Sequence, residues 1–425
     1  MGQVDDFTSD LIKALNREMK DKVAYNLTTD ESPTHVKRWI PTGSRLLDYT
    51  VSNRRDGGLP EGRIVEIFGD PGLGKSHVAA QICRMAQEIG GMAVYIDTEN
   101  ATSPENLELL GVDIARHFVY VSEHCTENVL SIAEKTMIRA RTMKKDVPVV
   151  IVWDSVAATS PKAELLGEYE DNSIGLQART ISQGMRKITG VIGDNNVLFV
   201  ILNQTRTKIG VMYGDPTTTS GGKAIPFHSS VRIQLFGGKT IKDKYGDVVG
   251  ITVKAKTIKD KVAPPFRTVE FEIHFGYGIR EHKQIFELLR KHGPDQFGDN
   301  IVMVGNFHGD SWRKLFVVPA DLVPLDSFKY DKKTDTYAWP SKPDFKKLNI
   351  EQHAIVAKSF YLDDFDRLLD DPKYNQYFDD LLEKVMVKVL VGKNASMEDY
   401  DLNEESYVEM SALADEMGLS GEIEP

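Results

Sequence analysis

Apolar residues recur along this chain in rhythms that change from one zone to the next. Near the start, Val4, Phe7, Leu11, Leu15, Met19 and Val23 follow one another at spacings of three and four. That period lays them on one stripe of an amphipathic helix over residues 4 to about 24, with a face that needs a partner. Residues 26–34, NLTTDESPT, are polar, contain Pro33 and read as a linker. Between Arg38 and Tyr277 the runs Ile64–Phe68, Ala93–Asp97, Val149–Asp154 and Val197–Leu202 are short, β-rich and almost continuously apolar. Strands without polar alternation have both faces covered, as in a parallel sheet. Stretches of helical length and spacing, Ser76–Ile89, Asn128–Met143 and Leu176–Ile192, separate them. The alternation predicts βαβ units and an α/β fold with a mostly parallel, doubly wound sheet. After about Gly278 the texture changes to helical segments, an aromatic and proline-rich stretch from Phe316 to Pro343, and a further helical segment over Asn375–Leu390. A small α+β C-terminal domain is expected there.

Composition adds limits. A chain of 425 residues with 41% hydrophobic content is larger than one core usually serves, so one large domain with smaller attachments is expected. Nothing approaches about 18 consecutive apolar residues, and the opening MGQVDDFTSD is acidic and polar, so neither a spanning helix nor a signal peptide is expected. The protein is expected in the cytoplasm, with no membrane partner. Cys83 and Cys125 lie far apart in sequence, which fits a reducing compartment and excludes a cysteine-based zinc cluster. The net charge of −11 is concentrated in the tail: Ser396–Pro425 holds ten acidic residues and no basic one, leaving −1 for the other 395 (−11 minus −10). A near-neutral body has room for a local basic groove. The tail itself reads either as a solvated terminus or as a tethered polyanion that competes with nucleic acid.

The most specific chemistry is Gly69-Asp70-Pro71-Gly72-Leu73-Gly74-Lys75-Ser76, a full phosphate-loop pattern between the strand IVEIF and a predicted helix. Backbone N–H groups and the positive helix end suit phosphates, Lys75 reaches them, and Ser76 would hold Mg²⁺. A second metal carboxylate is expected from Asp154, which closes the apolar strand VVIVWD. For the group that prepares the attacking water, Asp97 and Glu99 both stand at the end of the strand AVYID, with Glu99 the better candidate.

Asn203-Gln204 ends another strand and leads into TRTKIGVMYGDPTTTSGGKAIPF. So long a loop in a compact domain implies a use. Arg206, Lys208 and Lys223 suit phosphates. Ile209, Val211 and Met212 form an apolar wedge, and Gly210, Gly221 and Gly222 leave backbone amides accessible. This chemistry handles a nucleic-acid strand without reading its sequence. Gln204 stands where it would sense a γ-phosphate and pass that state into the loop. A shorter loop, Gly167–Gly175, offers Ile174 in the same design.

Across roughly Thr42 to Tyr277 the chain resembles the RecA family of strand-exchange recombinases, bacterial and phage. The motifs that carry the likeness are TGSRLLD, GGLPEGRIVEIFG, the phosphate loop, VWDSVAATSPKAEL, GLQARTISQGMRKITG, NQTRTKIGVMYGDPTTTSGGKA and KDKVAPPF. The resemblance implies a RecA-like P-loop ATPase core using ATP and Mg²⁺, which forms a helical filament on single-stranded DNA and pairs it with a homologous duplex. It implies Glu99 as catalytic base, acting with Lys75 and with Gln204 as γ-phosphate sensor. Gly167 to Ile174 and Thr205 to Ser220 become the two DNA loops, with Ile174 and Ile209 inserted between stretched triplets. Arg179, Ser182 and Arg186 match DNA-contacting positions, continued by Gly221 and Gly222. Lys259 and Lys261 match a lysine pair that reaches the ATP of a neighbouring subunit. The family's adenine-stacking aromatic residue and nearby acid align with Asn106 and Ser103, and similarity fades beyond about residue 280. On this reading residues 1–37 are a helix and linker for filament contacts, 38–280 the ATPase and DNA-binding core, 281–395 a small domain and 396–425 an acidic tail. A single-stranded DNA-binding protein and a loading mediator are implied partners. Two other classes share part of the chemistry: a hexameric helicase, which should lack the KIGVMYGDPTTTSGG loop, and a nucleotide-dependent scaffold, in which Glu99 would be idle.

Overall fold

The computed structural model describes residues 2–30, 32, 34–143, 146–168, 175–207, 217–306, 313–323, 325–331, 336–338, 354–387 and 389. In chain order the elements begin with α1 (Gly2–Met19), β1 (Trp39–Ile40), α2 (Arg45–Ser52), β2 (Leu59–Pro60), β3 (Ile64–Gly69), α3 (Lys75–Glu88), β4 (Met92–Asp97) and α4 (Pro104–Leu109). There follow β5 (Phe118–Ser122), α5 (Thr126–Met143), β6 (Val149–Asp154), α6 (Lys162–Leu166), α7 (Leu176–Asn195), β7 (Leu198–Thr207), β8 (Thr217–Thr219) and α8 (Ala224–His228). The chain continues through β9 (Val231–Lys242), β10 (Val248–Asp260), β11 (Thr268–His274), β12 (Gly278–Arg280), α9 (His282–His292), β13 (Asp295–Phe297), β14 (Asn300–Asn306) and β15 (Arg313–Pro319). It closes with β16 (Lys329–Asp331), β17 (Thr336–Ala338), β18 (Val356–Phe360), α10 (Phe365–Leu369) and α11 (Asn375–Met386).

One large sheet runs β12-β11-β10-β9-β3-β7-β6-β4-β5, with β8 attached to β7. From β9 to β5 the neighbours are parallel, and β10 to β12 extend the sheet as antiparallel hairpins. The apolar strands divide their side chains by period two. Val65, Ile67, Tyr95, Val152 and Val200 enter a core with Val78, Ile82 and Cys83 of α3. Ile64, Ile96, Ile151, Trp153 and Ile201 enter another with Val129 and Met137 of α5 and Ile181, Met185 and Ile188 of α7. Helices thus cover both faces, which is why these strands are apolar at nearly every position.

A third core joins α9, α10 and α11 to the antiparallel sheet β13-β14-β15-β18. It also takes Leu46 and Tyr49 from α2, whose Leu47 and Val51 face the first core. The start of α2 is fixed by Ser44, whose hydroxyl accepts from Leu47 N–H (3.1 Å) and donates to Glu281 (2.6 Å), while Glu281 also accepts from Arg45 N–H (2.6 Å).

Two expectations change. The first helix stops at Met19, because Lys20 takes a left-handed φ of 56° and Asn16 Oδ1 accepts from Val23 and Ala24 N–H, both at 2.8 Å. Phe7, Leu11, Leu15 and Met19 of α1 are exposed. The stretch expected to be loop from Thr205 also begins as strand: β7 runs on to Thr207 and pairs with β8, matching Thr205 with Thr219 and Thr207 with Thr217. Among the described residues no helix is long and apolar enough to cross a membrane.

Candidate functional site

The chain leaves β3 for β4 past β7 and β6, while β9 lies on the other side, so the end of β3 is a switch point of the sheet. The residues Gly69 to Ser76 occupy it. Gly74 caps α3 with φ 77° and no side-chain hydrogen bond, leaving first-turn N–H groups for an anion. A Cβ on Gly69 would lie 2.3 Å from Leu235 O and one on Gly74 2.4 Å from Ile273 Cδ1, whereas at Gly72 (φ 78°) nothing lies within 4 Å. The cradle is closed behind by packing and open in front, as a phosphate group requires. Lys75 is 9% exposed, and its Nζ donates to Gly69 O (3.0 Å) and Asp70 O (2.8 Å). Burial lowers its pKa, opposed by Asp154, Asp70 and Glu99. Pro71 and Leu73 complete the turn, with Leu73 buried.

Asp154 ends β6 beside this loop. Burial raises its pKa, hydrogen bonds from Tyr95 (2.5 Å) and Ser76 oppose the rise, and Glu99 and Asp97 add to it. A cation beside Asp154 and Ser76 would relieve that cost, so the pair fits Mg²⁺. Asp97 and Glu99 differ sharply. The carboxylate of Asp97 accepts from Glu99 N–H (3.0 Å), Thr102 N–H (2.9 Å) and Tyr120 OH (3.0 Å). These bonds outweigh burial and lower its pKa. Glu99 is exposed, holding Ser155 Oγ at 2.6 Å. His124, which no sequence pattern singles out, braces the turn that carries Glu99: its Nδ1 meets Thr98 O (2.8 Å) and its Nε2 meets Asn100 Nδ2 (3.1 Å). It arrives from beyond β5, so no local pattern announces it.

Gln204 is the register partner of Gly69. Arg206 lies on the β7–β8 ribbon. Gly221 and Gly222, at φ 84° and 75°, turn against α7, where added Cβ atoms would come within 2.9 Å of Ile181 and 3.0 Å of Ala178. Arg179 and Arg186 are exposed on α7 and Ser182 half-buried, with Arg179 and Ser182 directly following Ala178 and Ile181, the residues that meet the glycine turn, and Arg186 farther along the helix near His228. Ile174, Lys208, Ile209, Gly210, Val211 and Met212 lie outside the described residues.

Lys259 and Lys261 are not brought to the phosphate loop. Lys259 is paired with Arg232, and Arg232 with Glu66, three residues before Gly69 and about 10 Å along the strand. Lys259 Nζ donates to Pro226 O and Phe227 O, both at 2.8 Å. Burial, then Lys261 and Arg232, push its pKa down to about 8, against Glu66.

A phosphate loop at the switch point of a parallel sheet, faced by Asp154 and followed on β7 by a loop-bearing ribbon, defines a P-loop nucleotide-binding protein of α/β architecture. The family profile described as the RecA N-terminal domain matches residues 9–280. The chain is 43% identical over 256 residues to Protein RecA of Symbiobacterium thermophilum, covering 60% of this chain and 70% of that one. It is 42% identical over 282 residues to Protein RecA of Chlorobaculum tepidum (66% and 78%), and 41% over 288 residues to Protein RecA of Bacteroides thetaiotaomicron (66% and 83%). The chain belongs to the RecA family, and its function is ATP-dependent homologous recombination by strand exchange.

Proposed function

We propose that this chain is a DNA-dependent ATPase that binds Mg²⁺-ATP through Gly69–Ser76, Asp154 and Glu99 of one subunit and Lys259 and Lys261 of the next. The observation that carries the reading is the register of β3 with β7: Gly69 pairs with Gln204, so the phosphate loop begins beside the point where β7 leaves β3 for the ribbon that enters the second DNA loop. Glu99 takes the proton of the attacking water, Lys75 neutralises phosphate charge, and Gln204 senses the γ-phosphate. Mg²⁺ held by Ser76 and Asp154 supplies charge neutralisation on the phosphates when bound. The distance of Lys259 from its own phosphate loop supports its action on a neighbour. Nucleotide binding then assembles the filament and hydrolysis loosens it.

The test is steady-state ATP hydrolysis with and without single-stranded DNA, beside strand exchange on homologous and heterologous duplexes. Stimulated hydrolysis with homology-dependent exchange is expected. Stimulation with unwinding but no exchange would instead indicate a helicase, and no response to DNA a scaffold.

A further inference from the structure

The middle of β3 carries a charge that neither the phosphate loop nor the DNA contacts use. Glu66 is 0% exposed, on the central strand of the sheet. An apolar residue would fill such a position at no electrostatic cost, since a buried ion pair seldom stabilises a fold more than a well-packed hydrophobic group. What an apolar residue cannot do is fix the orientation of polar neighbours on both flanking strands, and Glu66 does this. From β9, Arg232 Nε donates to Glu66 Oε2 at 2.5 Å, with the guanidinium 4.6 Å over the Phe68 ring. From β7, Asn203 Nδ2 donates to Glu66 Oε1 at 3.0 Å.

Asn203 is the hinge of this arrangement. Its amide also donates to Ser220 O (2.9 Å), and its Oδ1 accepts from Gln204 N–H (2.9 Å). One side chain therefore grips both ends of the loop, at Gln204 where the strand leaves the sheet and at Ser220 where the chain returns. With the amide nitrogen turned to Glu66 Oε1, Oδ1 is left for Gln204 N–H. On the far side, Arg232 is the register partner of Lys259. Glu66 thus stands midway in a line of side chains from Arg232 on β9 to the neck of the loop.

We infer that Glu66 is a positioning residue that locks the neck of the second DNA loop to the strand ending in the phosphate loop and, through Arg232, to β9 on its other side. The inference rests on the reading above that residues 205–220 meet DNA and that nucleotide binds at Gly69–Ser76. Glu66 touches neither; it acts through Asn203 and Arg232.

The measurement is the ratio of ATP turnover with and without single-stranded DNA, together with affinity for a fluorescent ATP analogue, in Glu66→Gln, Asn203→Ala and Val65→Ala. Val65 is on the same strand, facing the other core, so Val65→Ala reports loss of packing alone. Glu66→Gln and Asn203→Ala are expected to lower the stimulation ratio about tenfold, a typical coupling between two sites, with analogue affinity unchanged. Val65→Ala is expected to keep the wild-type ratio. Asn203→Ala leaves the Glu66–Arg232 pair intact and carries the test if Glu66→Gln does not fold. A wild-type ratio in a folded Glu66→Gln overturns the inference whatever Asn203→Ala shows, as does a wild-type ratio in Asn203→Ala or equal loss in Val65→Ala. Absence of stimulation in the wild-type protein overturns the functional reading as well, which separates the two failures.

Discussion

Asp97 and Glu99 stand two residues apart at the end of β4, and their surroundings give them different work. Every bond to Asp97 favours its ionised form and uses its oxygens to shape the turn. Glu99 is exposed and accepts from the Ser155 hydroxyl. Glu99→Gln is therefore expected to slow ATP turnover by roughly 10²- to 10⁴-fold, the range for a lost general base, while the protein still binds nucleotide and assembles. Rapid hydrolysis by the variant, measured at saturating ATP, would remove Glu99 from the mechanism. Lys259 makes a pH prediction. It is surrounded by Lys261 and Arg232, with His228 nearby and Glu66 as the opposing charge. Because its pKa is pushed down to about 8, its charge is present below that pH and lost as pH rises through it. ATP-driven assembly, followed by light scattering, should weaken across that interval, and Lys259→Arg should flatten the profile.

At the scale of elements, α1 and α2 are opposite cases. The apolar stripe of α1 lies open, so Leu11→Glu with Leu15→Glu should leave thermal unfolding unchanged and suppress assembly, read as particle size with ATP and DNA. In α2 both faces are committed to cores. Ser44→Ala removes an N-cap and deprives the buried Glu281 of a donor, and is expected to cost about 1–3 kcal/mol by denaturant unfolding. Much of this layer was legible beforehand. Periodicity placed α5 and α7 within a few residues, since the buried stripes Val129, Ala133 and Met137 and Ile181, Met185, Ile188 and Ile192 repeat every three or four positions, and α3 was placed as closely although Val78–Cys83 is buried at every position. The end of α1 was not legible, because Asn16 stops the helix by capturing a chain segment that folds back on it. The β7–β8 ribbon escaped for a related reason: polar Thr205–Thr207 forms strand only because Thr217–Thr219 returns beside it.

For the whole molecule, charge is the quantity that sequence delivers most directly. Residues 396–425 lie outside the described structure, yet they hold ten of the acidic side chains, and removing them would change the net charge from −11 to −1. That truncation is expected to strengthen duplex-DNA binding most at low salt, with a changed salt slope. Equal affinities at matched salt would reduce the tail to a solvated terminus. By itself the sequence determined the phosphate loop, the doubly wound core and the places where loops interrupt it, because each is written in short-range spacing that sterics and hydrophobic burial read locally. Tertiary structure alone decided which of Asp97 and Glu99 is left exposed, that Lys259 stands away from its own phosphate loop, and that Glu66 meets Asn203 and Arg232. Those pairings depend on the register of strands distant in sequence, and register is fixed only when the helices close both faces of the sheet.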